Sequence, residues 1–487
     1  SDNVAIGYEA GKKLTIQDDN VIIGKHSAYN AFSEDNVAIG FEALKGASSF
    51  TDATCHVTSG NDAIPHDSNA NILAGMGVTG TGIPAGAYIQ NKDSNTQFTL
   101  NSNFTPTAGD GSEITLTFHS RAKEITSIGY QSLSSFKIPT QSTAIGFKSL
   151  TALTTGVSNT VVGYTGAKDL TTGSYNVVMG HAALDSADGG ESNNISIGTN
   201  VMGHINHDDS DHNVAIGDSA LLGGTGTVKR NIAIGSNAMG TGVANNDQEG
   251  TIAIGYDALI ALTSGDGNIG IGYQVGGNKT TESQSVMIGY QAGQTTNGDN
   301  GSNAVLIGYQ AGRKLYAGSG DNIAIGHLAM GASSRHGAGS DKNIAIGSQA
   351  MEGVLATGSA HNICIGYQAF TASTTGASNV VIGNYAGDAM NTSSHNTLVG
   401  YAAGSAIAVD STAADGTTAI GSSALRALTI GVTNTAVGFE ALNAETVGGG
   451  SVAVGSYALH EYTKAGTGAG TAGNTAIGNN AMRYVDH

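Results

Sequence analysis

Asn434-Thr435-Ala436-Val437-Gly438-Phe439-Glu440-Ala441-Leu442 is one copy of a unit that recurs through the whole chain. The first copy is Asn3-Val4-Ala5-Ile6-Gly7 and the last is Asn474-Thr475-Ala476-Ile477-Gly478. Anchored on its glycine, the register passes through 7, 24 and 40, breaks, resumes at 129 and runs to 478, in 23 copies whose commonest spacing is 17. Self-similarity at so short a period is the signature of stacked coils. Thr, Val and Ile before the glycine favour a strand, and the glycine permits a sharp bend. Phe41-Glu42-Ala43-Leu44 and Tyr367-Gln368-Ala369-Phe370 show the segment after it, read as a second short strand. Turn-rich stretches such as Thr154-Thr155-Gly156-Val157-Ser158 close the unit. A helix is excluded, because a glycine and a turn cluster return before four helical turns can form. The expected fold is all-β: a parallel β-solenoid (β-roll) of about 17 residues per coil, roughly 110 Å long at the usual strand spacing.

Side chains alternate along a strand. Val4 and Ile6, or Ile232 and Ile234, are expected to point into the coil. The residue between them then points out, yet it is alanine in 12 of 23 copies and is never charged. A strand apolar on both faces is buried on both. Ala5, Ala38, Ala144, Ala215, Ala233, Ala345, Ala453 and Ala476 are therefore expected to line contacts with sister chains. Asparagine opens the motif in 16 of 23 copies, so Asn3, Asn36, Asn213 and Asn343 are expected to form a ladder of stacked amides. Gly7, Gly40, Gly217 and Gly347 are structural positions of the same repeat.

Residues 47–123 interrupt the repeat between coils at 1–46 and 124–487. This stretch holds three of the four prolines, and runs such as Gln97-Phe98-Thr99-Leu100 read as strands of a small inserted β-domain. Its Val78-Thr79-Gly80-Thr81-Gly82-Ile83-Pro84-Ala85-Gly86 stretch resembles a module found in bacteriophage structural proteins. It is read as a ligand-recognition module or a brace.

The net charge of −18 argues against nucleic acid as a partner. No run of 18 apolar residues predicts membrane insertion. Cys55 and Cys364 make no disulfide framework, and Cys364 fills an alanine slot. The chain begins inside a repeat and reads as a piece of something longer.

Ser451-Val452-Ala453-Val454-Gly455 and its fellows resemble the head repeat of trimeric autotransporter adhesins. The longer form at 434–442, with Thr-Thr-Gly linkers, resembles tail-fibre and appendage proteins of bacteriophages. The resemblance covers about six-sevenths of the chain. It implies a left-handed coil, a threefold homotrimer and a host-surface glycan or protein receptor. The period exceeds the adhesins' usual 14 or so, and neither a heptad stalk nor a C-terminal barrel anchor is evident, which favours the viral reading. The expected function is a structural or adhesive fibre, a phage tail fibre or virion appendage for host attachment, placed on the virion surface. The alternatives are a bacterial adhesin head at the cell surface and a polysaccharide-degrading tailspike.

Chemistry is sparse. His204, His207, Asp209 and His212 crowd one loop and could hold a transition metal; a solvated acidic loop is the plainer reading. Asn297-Gly298-Asp299-Asn300-Gly301 hints at calcium. No cofactor is otherwise expected. Glu9, Glu42, Asp257 and Glu440 share one place in the repeat and could in principle pair across a trimer groove as glycosidase carboxylates. The place also takes Lys, Gln, Ser and Asn, which reads as a solvated column, so no enzyme is expected. No nucleophile elbow or nucleotide loop is present.

Overall fold

The computed structural model describes residues 2–14, 19–30, 32–57, 61–84, 86–101, 112–240, 247–294, 302–315, 320–331, 339–353, 355–356, 358–407, 414–462 and 473–484. No helix occurs among them. The chain forms two compact units, Ser1–Ile234 with Val243–Asp247, and Gly235–Gly242 with Gln248–His487. Each contains a parallel β-solenoid. The first unit stacks ten three-residue strands from Val4–Ile6 to Ile232–Ile234. The second stacks thirteen, from Ile252–Ile254 to Thr475–Ile477. Pairing keeps equivalent residues opposite one another, as in Thr435↔Val452, Ala436↔Ala453 and Val437↔Val454.

Most coils form one strand, not two; among the described residues Phe32–Glu34, Arg121–Lys123, Val228–Lys229 and Gln248–Glu249 are short second strands that precede the motif strand. The segment after each motif glycine is a run of turns. Its second and fourth residues are left-handed although they are not glycine, as at Glu440 (φ 53°) and Leu442 (φ 51°). That conformation is costly for such residues. Hydrogen bonds to both neighbouring coils offset the cost: the Glu440 N–H donates to the Ser422 carbonyl and the Leu442 N–H to that of Ala458, both at 3.0 Å.

The strand faces are the reverse of the sequence expectation. Ala38, Ala144, Ala215, Ala233, Ala345 and Ala453 are fully buried within their own coils, and Ala476 nearly so. Only Ala5, in the first coil, is exposed. The alanine column therefore cannot meet sister chains. The Val and Ile that flank it point outward. The reason is room: the coil interior is narrow and already holds the Leu, Met or Phe of the turn segment, such as Leu442, Met351 and Phe370, all fully buried. Cys364 is likewise buried in its alanine slot.

The motif glycines leave no space for a side chain. At Gly7 (φ 133°) a Cβ would stand 2.6 Å from the carbonyl oxygen of Gly24. Gly40 and Gly347 meet the carbonyls of Gly129 and Gly366 in the same way. Gly217 shares the conformation, at φ 132°. Motif asparagines bond to one another inside the stack. Oδ1 of Asn194 accepts both the backbone N–H and Nδ2 of Asn213 at 3.0 Å, and Nδ2 of Asn213 also donates to the Val228 carbonyl at 2.7 Å. Asn20 and Asn36 are joined similarly at 3.2 Å, Asn3 and Asn20 at 2.9 Å. Asn343 accepts from Asn362 and donates to the Ser359 carbonyl.

The long interruption does not break the stack. Val37–Ile39 pairs directly with Thr126–Ile128. Between them lie two three-stranded antiparallel sheets. One has the order Phe50–Val57, Ser112–His119, Gly77–Thr79; the other Ala63–Pro65, Gln97–Leu100, Ile89–Ser94. They enclose a separate core that includes Cys55, Ile64, Phe98, Leu116 and Phe118, against which Ile138 of the resumed coils packs.

Candidate interaction surface

With alanine turned inward, the residues just before and just after it form the outer face of each strand. Across all 23 copies these two places hold only Val, Ile, Thr or Met. The next residue on the same face, two beyond the strand's last Ile, lies just past the glycine and is often aromatic. Ile254 and Tyr256, Ile271 and Tyr273, Ile288 and Tyr290 are successive examples. The outer face is thus a flat band of β-branched side chains edged by rings. Tyr256, Tyr273, Tyr290 and Tyr309 remain 42–47% exposed.

The rings are ordered. In the first unit Phe41, Tyr130, Phe147, Tyr164 and His181 stack in series, with centroids 4.9–5.3 Å apart. In the second, Tyr256, Tyr273, Tyr290, Tyr309 and His327 stack at 5.1–5.4 Å. Strand spacing sets both distances. Ring faces are spent on one another, so edges and hydroxyls are what the surface offers. Beside the second row runs an amide ladder: Nε2 of Gln291 donates to Oε1 of Gln274 at 3.0 Å, and Nε2 of Gln310 to Oε1 of Gln291 at 2.9 Å. Sequence reasoning misses this surface because it puts the Val and Ile inside. Aromatic residues at 256, 273 and 290, a 17-residue step, are the signal that points to it.

The four carboxylates of the repeat are engaged locally. Glu9 pairs with Lys12 at 2.6 Å, Glu42 with Lys45 at 2.7 Å, and Glu440 with Nε2 of His460 at 2.8 Å. Oδ1 of Asp257 accepts from Asn237 at 3.1 Å. Lys12 lies close enough to hold the Glu9 carboxyl below its ordinary range, and Lys45 does the same to Glu42.

The loop around residues 204–212 does not gather its candidate ligands into a cage. Nδ1 of His207 accepts from the Asp209 N–H at 3.2 Å, and Asp209 lies 3.8 Å from Lys229. His204 and His212 are exposed. Among the described residues no three His, Cys, Asp or Glu side chains converge as a metal site would need. The calcium candidate at 297–301 lies outside the described residues. No helix among the described residues is long and apolar enough to cross a membrane.

No known protein family matches this chain, nor does any curated protein or solved structure compared with it.

Proposed function

We propose that the chain is one subunit of a homotrimeric fibre, a phage tail fibre or virion appendage that attaches to a host surface. The observation that carries this reading is the uncharged outer face. Thirteen strands at ~4.8 Å, with three outward columns ~7 Å apart, present roughly 800 Å² in the second unit alone. The largest apolar patch on a typical monomer is about 300–600 Å², and each partner of a standard interface buries about 800 Å². In a chain with 38 acids and 20 bases, thirteen successive coils whose outer face lacks any Asp, Glu, Lys or Arg are kept so by being covered; in the first unit the place after the glycine does take Lys25 and Asp218. A second copy of the same face is the natural cover, since every coil supplies the same two uncharged columns, of Val, Ile, Thr or Met, at the same spacing. The number three, the left-handed coil and the virion setting come from the resemblance to phage fibres and adhesin heads. Host attachment follows from that setting.

Light scattering on the purified chain tests the assembly. Three times the chain mass is expected, and a stable monomer would overturn it. Adhesion of the labelled fibre to host cells tests attachment; an intact trimer that does not adhere is a spacer instead.

A further inference from the structure

Seven residues past the motif glycine, Leu153, Leu170 and Leu428 point into their coils and are fully buried. Three residues further on, each is followed by a glycine: Gly156, Gly173 and Gly431. The two places touch. A Cβ on Gly156 or Gly173 would stand 2.7 Å from Cδ1 of its leucine. After Gly272 the same two places hold Lys279 and Glu282. Their side chains are 2% and 1% exposed, and Nζ of Lys279 lies 3.3 Å from Oε1 of Glu282. Leu262 fills the place of Lys279 in the preceding coil and is buried as well. The backbone of this corner is pinned at both residues. The Lys279 N–H donates to the Gly276 carbonyl at 3.0 Å, and Nδ2 of Asn268 to the Glu282 carbonyl at 2.6 Å. An ion pair is a poor occupant of such a slot, because taking two charges out of water costs more than their attraction readily returns. Burial also pulls the Lys279 ammonium below its ordinary range, which favours the uncharged, nucleophilic amine.

We propose that Lys279 and Glu282 are a self-modification site, at which the two side chains condense to an internal amide. The reacting groups are the pair already in contact. Nζ passes one proton to the carboxylate, the amine attacks Cδ, and the Nζ–Cδ bond forms. A Cδ–O bond then breaks as the departing hydroxyl takes a second proton from the nitrogen and leaves as water. Net charge is zero on both sides, and the balance needs no oxidant or cofactor. The dry slot favours the product twice. It exchanges two buried charges for one neutral amide, and it holds amine and carboxyl together at high effective concentration. The bond ties this corner of the coil across residues 279–282. It stands apart from the fibre reading, since it concerns one chain alone.

Intact-mass measurement and peptide mapping of the denatured full chain test the bond, since denaturation dissolves an ion pair and leaves an amide. The chain should be lighter by one water than its sequence requires. Trypsin should fail to cut after Lys279, leaving residues 231–313 as one peptide whose missing water maps between 279 and 282. Lys279→Met should have the full mass its own sequence requires. Methionine fills the same place at Met390, so the variant is expected to fold. Should it not, the peptide map of the parent decides alone. Full sequence mass with complete cleavage after Lys279 would overturn the proposal, and so would a water loss that persists in Lys279→Met.

Discussion

Gly276 lies against Met287 of the next coil, so closely that a Cβ on the glycine would stand 3.1 Å from both Sδ and Cε of the methionine. The place of Gly276 holds leucine in many coils, and the place of Met287 is usually alanine. The two exchange bulk. Leu259 faces Gly270, where a Cβ would meet its Cγ at 2.8 Å, and Gly387 faces Leu398 at 2.9 Å. Interiors are packed to constant density, so one large side chain per level is what this core accommodates. Met287→Ala should cost about 2–5 kcal/mol through the cavity it leaves. Gly276→Leu alone should cost about 1–3 kcal/mol by overpacking. The double variant should recover only part of the summed loss: Gly276 (φ 55°) already has the backbone that Leu442 adopts (φ 51°), but a Cβ there would also stand 2.7 Å from Cδ2 of Leu259, which Met287→Ala leaves in place. A denaturant-unfolding cycle measures all three.

The asparagine ladder makes a second prediction. Oδ1 of Asn362 accepts the N–H and Nδ2 of Asn379 at 3.0 Å, while its own Nδ2 donates to Asn343 at 3.1 Å and to the Gly376 carbonyl at 2.9 Å. Asn362→Ala strands buried groups on both sides and should cost about 3 kcal/mol. Asn3→Ala, at an exposed coil, should cost under about 1 kcal/mol because water replaces the lost amide. Equal losses at the two sites, read by thermal unfolding, would contradict a role for burial.

Outward and inward places respond to charge differently. Ile271→Asp combined with Ile288→Asp should reduce the mass in light scattering from three chains to one while the circular dichroism spectrum is kept. Ala345→Asp places a carboxylate in a fully buried slot and should unfold the coil itself. An Ile271/Ile288 variant that stays trimeric would remove this face from the interface.

The repeat, the glycine column and the asparagine ladder are legible in the amino-acid sequence, because each is a residue type locked to one place in the period. The sidedness of the strand is not. Val4-Ala5-Ile6 is apolar on both faces, and alternation says only that alanine opposes its neighbours, not which side is inside. The trade of bulk between Gly276 and Met287 carries that information, since only residues sharing a core exchange volume. The turn segment is hard to read for a related reason. Glu440 and Leu442 are ordinary residues, and their left-handed backbone is imposed by bonds to neighbouring coils rather than by any local propensity.

The glycine column is steric as well as conformational. Gly366 has φ 139°, and a Cβ there would lie 2.6 Å from the carbonyl carbon and oxygen of Gly383. Gly358 also has positive φ, 88°, but nothing lies within 4 Å of its missing Cβ. Gly358→Ala should cost about 1–2 kcal/mol of backbone strain. Gly366→Ala adds a backbone collision that only separation of two coils can relieve, and should cost more than about 3 kcal/mol. Melting temperatures of the two variants, ranked in that order, test whether close approach of coils is what demands glycine.

Glu191 supplies a pH dependence of defined sign. Its side chain is fully buried; Oε2 accepts the Gly189 N–H at 3.1 Å, and Oε1 has no partner among the described residues. Burial raises its pKa above 4.5, and the nearby Asp208 and Asp188 add to the rise. Between the ordinary value and the raised one, the folded chain therefore holds more of a proton at this site than the unfolded chain does. Stability from this site is fully present below about pH 4.5 and is lost as pH climbs through the raised folded value. Glu191→Gln keeps the shape and removes the titration. It should be more stable than the parent at pH 8, and its advantage should vanish near pH 4. Unfolding midpoints of the two proteins across that range should converge on acidification; parallel curves would mean that the carboxyl is ionised in the fold.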